Sequence, residues 1–213
     1  MKKNMFDEDP SLNLDTNDLD IKEQLIYKRQ YIANKYYIHL DEEITEPNYY
    51  RGICLVLKEA QESDEVHFII NTPGGDISSF IQIYNSMLQS KALITAEIIM
   101  AYSAGSLIAL AADQIIIDQF SSMMIHSMSA GSIGKVDEMK VQADFLKKWN
   151  EQIITKLYDS FLTEKEMQQV LEGKDFWFDE EEIVKRFEHW IPLKQRLALE
   201  QNKKTKKVVK GKK

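Results

Sequence analysis

Cysteine is almost absent from this 213-residue chain: Cys54 stands alone, so no intramolecular disulfide forms, and no Cys/His cluster has zinc-ligand spacing. A reducing compartment fits that usage. A membrane-length apolar run is lacking too. The longest uncharged apolar stretch, Ile98 to Ala112, is bounded by Glu97 and Asp113 and falls short of the roughly 20 residues a spanning helix needs. The N-terminus places Asp7, Glu8 and Asp9 where a secretory signal needs an apolar segment. We therefore expect a cytoplasmic protein with no membrane contact. Nucleotide signatures are missing as well. Asn71-Thr72-Pro73-Gly74-Gly75 lacks dinucleotide-fold glycine spacing, and the Gly134-Lys135 pair lacks a Walker A glycine at Ser129 and has Val136 in place of Ser/Thr. No cofactor is expected, and any use of ATP falls to a partner. No solenoid-length repeat is visible.

What is present is the composition of a globular protein with one ample core: 44% hydrophobic, 10% aromatic and 29% charged residues. The net charge of −7 hides an asymmetry. Residues 1–192 carry 18 Lys/Arg against 33 Asp/Glu, whereas Leu193 to Lys213 carry nine Lys/Arg and one Glu. An acidic body argues against nucleic-acid binding except through the basic tail, because phosphate recognition requires a basic surface. A terminal lysine run is in most proteins a solvated end. We divide the chain into an acidic arm expected to be disordered (1–20), a core domain (21–192) and a basic C-terminal tail (193–213).

Within the core domain, helical content is read over Ile21 to Lys35, a short strand over Tyr36 to Leu40, and a helix from Pro47 to Ala60. Val66 to Ile70 reads as a strand ended by the glycine turn, and Ile77, Ile81, Tyr84, Met87 and Leu88 mark an amphipathic helix after it. The grammar repeats: strand Leu93 to Ile99, a buried helix Ser103 to Ala112, then two strand candidates, Ile115 to Ile117 and Ser122 to Ile125. A long helix comes next, from Val136 to about Phe161. One face carries Met139, Ala143, Leu146, Ile153, Leu157 and Phe161, interrupted by Asn150; a second stripe is Val141, Phe145 and Trp149. One stripe serves the core and the other a partner subunit. Thr163 with Glu166 reads as a capping box for a helix closed by Gly173, and Asp179 with Glu182 starts the next. Alternating strands and helices imply an α/β fold with a largely parallel sheet.

Ser103 lies where an apolar strand gives way to a buried helix, with unpartnered backbone N–H groups close by. A nucleophile and an oxyanion hole can share such a turn; taken alone, a serine there is far more often a simple N-cap. His39 and His67 sit inside strands and His189 among charges, whereas His126 ends an apolar run just before a polar loop. Asp175, flanked by aromatics, is expected to be partly buried and to need a partner, either as an imidazole-orienting acid or as a helix cap.

Taken in order, four segments resemble the proteolytic subunit of the Clp protease, a serine peptidase family of the crotonase-like fold. They are Phe68 to Gly75, Met100 to Ser106, Met124-Ile125-His126, and Asp175 to Glu182. The resemblance extends from about Tyr36 to about His189, with 23 residues from Ser103 to His126 and 49 from His126 to Asp175. Thr72 stands where the family favours serine, and Tyr102 where it favours a small residue. The resemblance implies stacked βαβ units with a protruding long helix. It also implies Ser103 as nucleophile, His126 as base, Asp175 as its orienter, and an oxyanion hole at Gly75 and Ala104. A substrate peptide would pair as a strand with Asp76, Ile77 and Ser78 on one side and the loop containing Ser127 and Met128 on the other. Polypeptide substrates, a heptameric ring or double ring, and an AAA+ unfoldase are the implied partners. The family's N-terminal pore-loop motif is not recognisable in Met1 to Asp20. A phage head-maturation protease is therefore an alternative role, a silent subunit of the same ring a second class, and an acyl-CoA enzyme of this fold a third.

Overall fold

The computed structural model describes residues 32–131 and 133–210, the last nine of these by backbone alone. The expected acidic arm and most of the helical reading over Ile21 to Lys35 lie outside those residues. Ile32 to Asn34 have no regular structure, and Lys35 already belongs to the first strand.

Five strands form one sheet in chain order: β1 (Lys35–Leu40), β2 (Glu65–Thr72), β3 (Leu93–Tyr102), β4 (Gln114–Ile125) and β5 (Phe176–Phe178). The first four are parallel, in register through Ile38, Phe68, Ala96 and Ile115, and β5 runs antiparallel against β4. The expected α/β architecture is the observed one, with β5 an edge strand that the sequence pattern does not distinguish. Successive side chains point to opposite faces. Ile38, Leu40, Val66, Phe68, Ile70, Ile94, Ala96 and Ile98 are accordingly buried on one side, and packing there are α1 (Arg51–Glu59), α2 (Ile77–Gln89) and α3 (Ala104–Leu110). The opposite face carries a polar ladder: Lys35 pairs with Glu65, and His67 with Glu97 at 2.8 Å.

The two strand candidates at Ile115 to Ile117 and Ser122 to Ile125 are a single strand, β4, with a bulge between them. From Ile98↔Ile117 to Met100↔Ser122, β3 advances two residues and β4 five, and Phe120 takes up the excursion at φ 61°. Helix α4 (Val136–Leu157) is shorter than expected, and Phe161 is buried beyond the turn after it. Its core face also needs correction. Only Ile153, Ile154 and Leu157 are buried, whereas Met139 and Ala143 are exposed in the single chain. The capping box of α5 (Glu164–Leu171) and the Asp179 cap of α6 (Glu180–Phe187) are as expected. The basic segment begins as helix α7 (Leu193–Lys210), whose buried Arg196 donates to the Ile191, Lys156 and Leu157 carbonyls and pairs with Asp159. Among the described residues no helix is long and apolar enough to cross a membrane.

Candidate active site

The carboxyl ends of β2, β3 and β4 meet at one edge of the sheet, where ligands of parallel α/β folds bind. A cleft of about 630 Å³ opens there, lined by Gly74, Gly75, Ser103, Ala104, His126 and Met128 among others.

Ser103 joins β3 directly to α3 with no loop between them, and its backbone absorbs the change of direction at φ 52° and ψ −118°. A non-glycine residue persists in such a conformation only when its surroundings over-determine it. Here they do. Its N–H donates to the Met124 carbonyl at 2.9 Å, and its own carbonyl accepts from Ser106 N–H at 3.0 Å, Leu107 N–H at 3.3 Å and the Ser106 hydroxyl at 2.7 Å. The side chain is thereby aimed into the cleft, where Ser103 Oγ lies 2.7 Å from His126 Nε2. The Ser106 hydroxyl has given its proton to that carbonyl, so it accepts from the Tyr158 hydroxyl at 2.8 Å. Complete burial drives the Tyr158 phenol pKa upward, which leaves it a neutral donor.

The glycine turn approaches from β2. A Cβ on Gly74 would meet the Tyr102 carbonyl oxygen at 2.6 Å and Ser103 Cβ at 2.7 Å; one on Gly75 would meet the Ile44 carbonyl oxygen at 2.1 Å. Their φ values of 91° and 145° also favour glycine. Ile44 N–H donates to Gly74 O, and Asp76 N–H donates to Ile44 O, each at 2.7 Å. Bonds on both sides of Gly75 that face Ile44 turn the Gly75 N–H the other way, toward the cleft. Among the described residues neither this N–H nor that of Ala104 donates a hydrogen bond to a protein group.

The departures from the family pattern have local explanations. Thr72 is fully buried, donates to the Glu42 carbonyl and accepts from Gly74 N–H at 3.1 Å, and its extra methyl occupies the space left by the missing side chain of Gly105. Tyr102 turns away from the cleft, sharing a hydrogen bond with Ser122 at 2.9 Å and packing edge-on against Trp177.

Asp175 is the residue that the structure places differently. It is exposed rather than partly buried, and no hydrogen bond joins it to His126. Its position is nevertheless informative. Ile125 pairs with Phe176 in the antiparallel β4–β5 ladder, so one step further along sets His126 opposite Asp175. The expected Asp76–Ser78 edge is extended only at Asp76, which lines the cleft together with Ile77. Asp76 caps α2 by accepting from Ser79 N–H at 2.8 Å, Ile77 is already helical, and Ser78 does not line the cleft. Ser127 and Met128 are half-buried, Met128 lining the cleft, and Asn150 of α4 holds both: its Oδ1 accepts from Met128 N–H at 2.9 Å and its Nδ2 donates to Ser127 Oγ at 2.8 Å. Sequence reasoning missed the roles of Asn150, Ser106 and Tyr158. Only Asn150 carried a signal, as the polar break in an apolar stripe. Among the described residues no group of three or more His, Cys, Asp or Glu side chains is arranged to hold a metal ion.

A family model described as Clp protease matches residues 20–186, a span that includes all four motif segments. An ATP-dependent Clp protease proteolytic subunit of Deinococcus radiodurans is 31% identical over 103 residues, 47% of this chain and 50% of that protein, so the match spans about half that relative's length. The ATP-dependent Clp protease proteolytic subunit of Oltmannsiellopsis viridis is 28% identical over 133 residues, 60% of this chain and 67% of that protein. Subunit 1 of the corresponding protease of Prochlorococcus marinus (strain MIT 9312) is 27% identical over 166 residues, 75% of this chain and 83% of its own.

Proposed function

Because this chain belongs to the Clp protease family and has its α/β, crotonase-like fold, we propose that it is a serine endopeptidase that cleaves unfolded polypeptides inside a self-compartmentalising oligomer. The observation that carries the reading is the 2.7 Å contact between Ser103 Oγ and His126 Nε2 at a strained, fully pinned strand-to-helix turn. An N-cap serine has no need of such a turn, and α3 draws no side-chain cap from Ser103.

In the proposed reaction His126 Nε2 takes the Ser103 hydroxyl proton as the oxygen attacks the scissile carbonyl. The Gly75 and Ala104 N–H groups stabilise the oxyanion, and the same imidazole then protonates the leaving amine. In deacylation His126 takes a proton from water as the water oxygen attacks the acyl carbonyl, and returns it to Ser103 Oγ as the ester bond breaks and the carboxylic acid leaves. Asp175 would hold the imidazole tautomer. Its exposed, unbonded position supports a latent single chain in which that last contact awaits assembly. The exposed stretch of α4 with Val141 and Phe145 is the surface through which subunits would associate. The relatives are called ATP-dependent, yet this sequence holds no nucleotide motif, so a separate AAA+ unfoldase would supply that dependence. The Ser103–His126 pair weighs against the acyl-CoA reading, which has no use for it.

Labelling with a fluorophosphonate followed by peptide mapping tests the proposal. Modification of Ser103, abolished in Ser103→Ala, is expected; labelling that persists at full strength in that variant would overturn it.

A further inference from the structure

The geometry points to the C-terminal part of α4 as a two-point clamp on the site: Tyr158 positions the nucleophile turn, and Asn150 positions the peptide-binding segment after the base. The inference rests on the serine-peptidase reading above. Neither residue touches the reacting atoms, and each acts through a defined polar contact.

The first contact is a relay. Tyr158, at the C-cap of α4, donates to Ser106 Oγ, and Ser106 donates to the Ser103 carbonyl. That carbonyl belongs to the one residue whose backbone is strained to aim the nucleophile, so the relay loads the turn from behind. Tyr158 is 1% exposed and Ser106 fully buried, so water cannot replace either partner if one is removed.

The second contact is Asn150, about 12 Å along the helix axis from Tyr158. Its amide satisfies both Met128 N–H and Ser127 Oγ, the groups immediately beyond His126. The segment from Ser127 to Gly131 has no regular secondary structure to hold it, and Ser129 and Ala130 are exposed. Asn150 is thus what gives this cleft wall a fixed position. The two contacts act on different parts of the reaction: one on the attacking oxygen, the other on the peptide that must lie beside it.

The full-length protein should therefore split the two effects. Tyr158→Phe keeps the ring and removes only the donor; kcat for a short peptide and the rate of Ser103 labelling by a fluorophosphonate should fall together by about tenfold, with KM unchanged. Asn150→Leu should raise KM by about tenfold while labelling stays within about twofold, because the small probe needs no peptide-binding segment. Asn150→Asp retains the acceptor for Met128 N–H and should restore most of the KM. Should either first variant fail to fold by circular dichroism, Ser106→Ala and Ser127→Ala test the same two contacts separately. Wild-type labelling rates in Tyr158→Phe, or an Asn150→Leu defect confined to kcat and labelling, would overturn the clamp. Absence of any Ser103 labelling in the wild type would instead overturn the peptidase reading on which it rests.

Discussion

The Ser103 turn and the Asp175 strand flank the carboxyl end of β4 yet are built in opposite ways. Ser103 is held by one donated and three accepted hydrogen bonds, between a glycine turn that tolerates no Cβ and a helix buried at every position. Asp175 precedes a three-residue edge strand, has solvent around it, and reaches the correct register without reaching His126. Strain can be stored only where packing is dense enough to resist it. An acid left exposed on an edge strand has no such packing to fix it. Under the proposed function this contrast would be a division of labour, in which the chain by itself sets Ser103, His126 and the two N–H groups and association would complete the orientation of the base.

The most drastic way to break the contrast is at its rigid side. Ser103→Ala should remove peptidase activity by a factor on the order of 10⁴ or more without loss of fold, measured as single-turnover peptide cleavage beside a melting curve. Activity within tenfold of wild type would mean that the pinned turn serves some other end.

On the exposed side, Asp175→Asn should cost on the order of 10³ to 10⁴-fold in the assembled particle, through the wrong imidazole tautomer. The same substitution should change the labelling rate of dissociated chains by less than about threefold, because there the contact is already missing. Equal losses in both states would show that Asp175 orients the base without any help from assembly.

A smaller effect is expected where α4 leaves the body. Trp149 packs partly against the core, so Phe145, 62% exposed and stacked on Trp149, is the cleaner site to alter. Phe145→Glu should give smaller species by sedimentation and roughly tenfold lower peptidase activity with unchanged circular dichroism, since association and activity are linked. A fully active single chain would remove the reason for calling that stripe a subunit contact.

How much of the fold and site is legible in the sequence depends on the range of the forces involved. Strands β1 to β3, the cap of α6 and the capping box of α5 are written in neighbouring residues and can be read there. Ser103, between an apolar strand and a buried helix, and His126, between an apolar run and a polar loop, stand out there as candidates, but an N-cap and a structural histidine fit the same surroundings, and only the four-segment resemblance joins the two. The failures are tertiary. Phe176-Trp177-Phe178 is too short to show the alternation of a strand. The charged Asp118 splits β4 in two on paper where the chain merely bulges. Aromatic neighbours suggest a buried Asp175, but on an edge strand Trp177 itself is exposed. Met139 and Ala143 look like core because an apolar stripe is the same whether the chain's own core or another chain covers it. The Tyr158–Ser106 contact joins residues 52 apart and leaves no local trace.

The smallest effect concerns what holds β5 near the site at all. Arg186 packs its guanidinium 4.4 Å from the Phe178 ring and grips Glu166 with two hydrogen bonds, of 2.7 and 3.1 Å. The Arg186 hydrogen bonds, ahead of those from Thr163, bring the Glu166 carboxyl down to about 2 from an ordinary 4.5. A carboxyl with a lower pKa in the folded than in the unfolded state stabilises the fold wherever it is ionised in both. That contribution is complete above about pH 4.5 and disappears as pH falls through about 2. Glu166→Gln keeps the shape of the capping box and removes the charge. Its melting temperature should lie below that of the wild type by about 2–4 °C near neutrality, for a loss on the order of 1 kcal/mol. The gap should narrow steadily below pH 4.5 and close near pH 2. A gap of constant size across that range would mean that Glu166 contributes through packing and capping, and that the grip of Arg186 on β5 owes nothing to its charge.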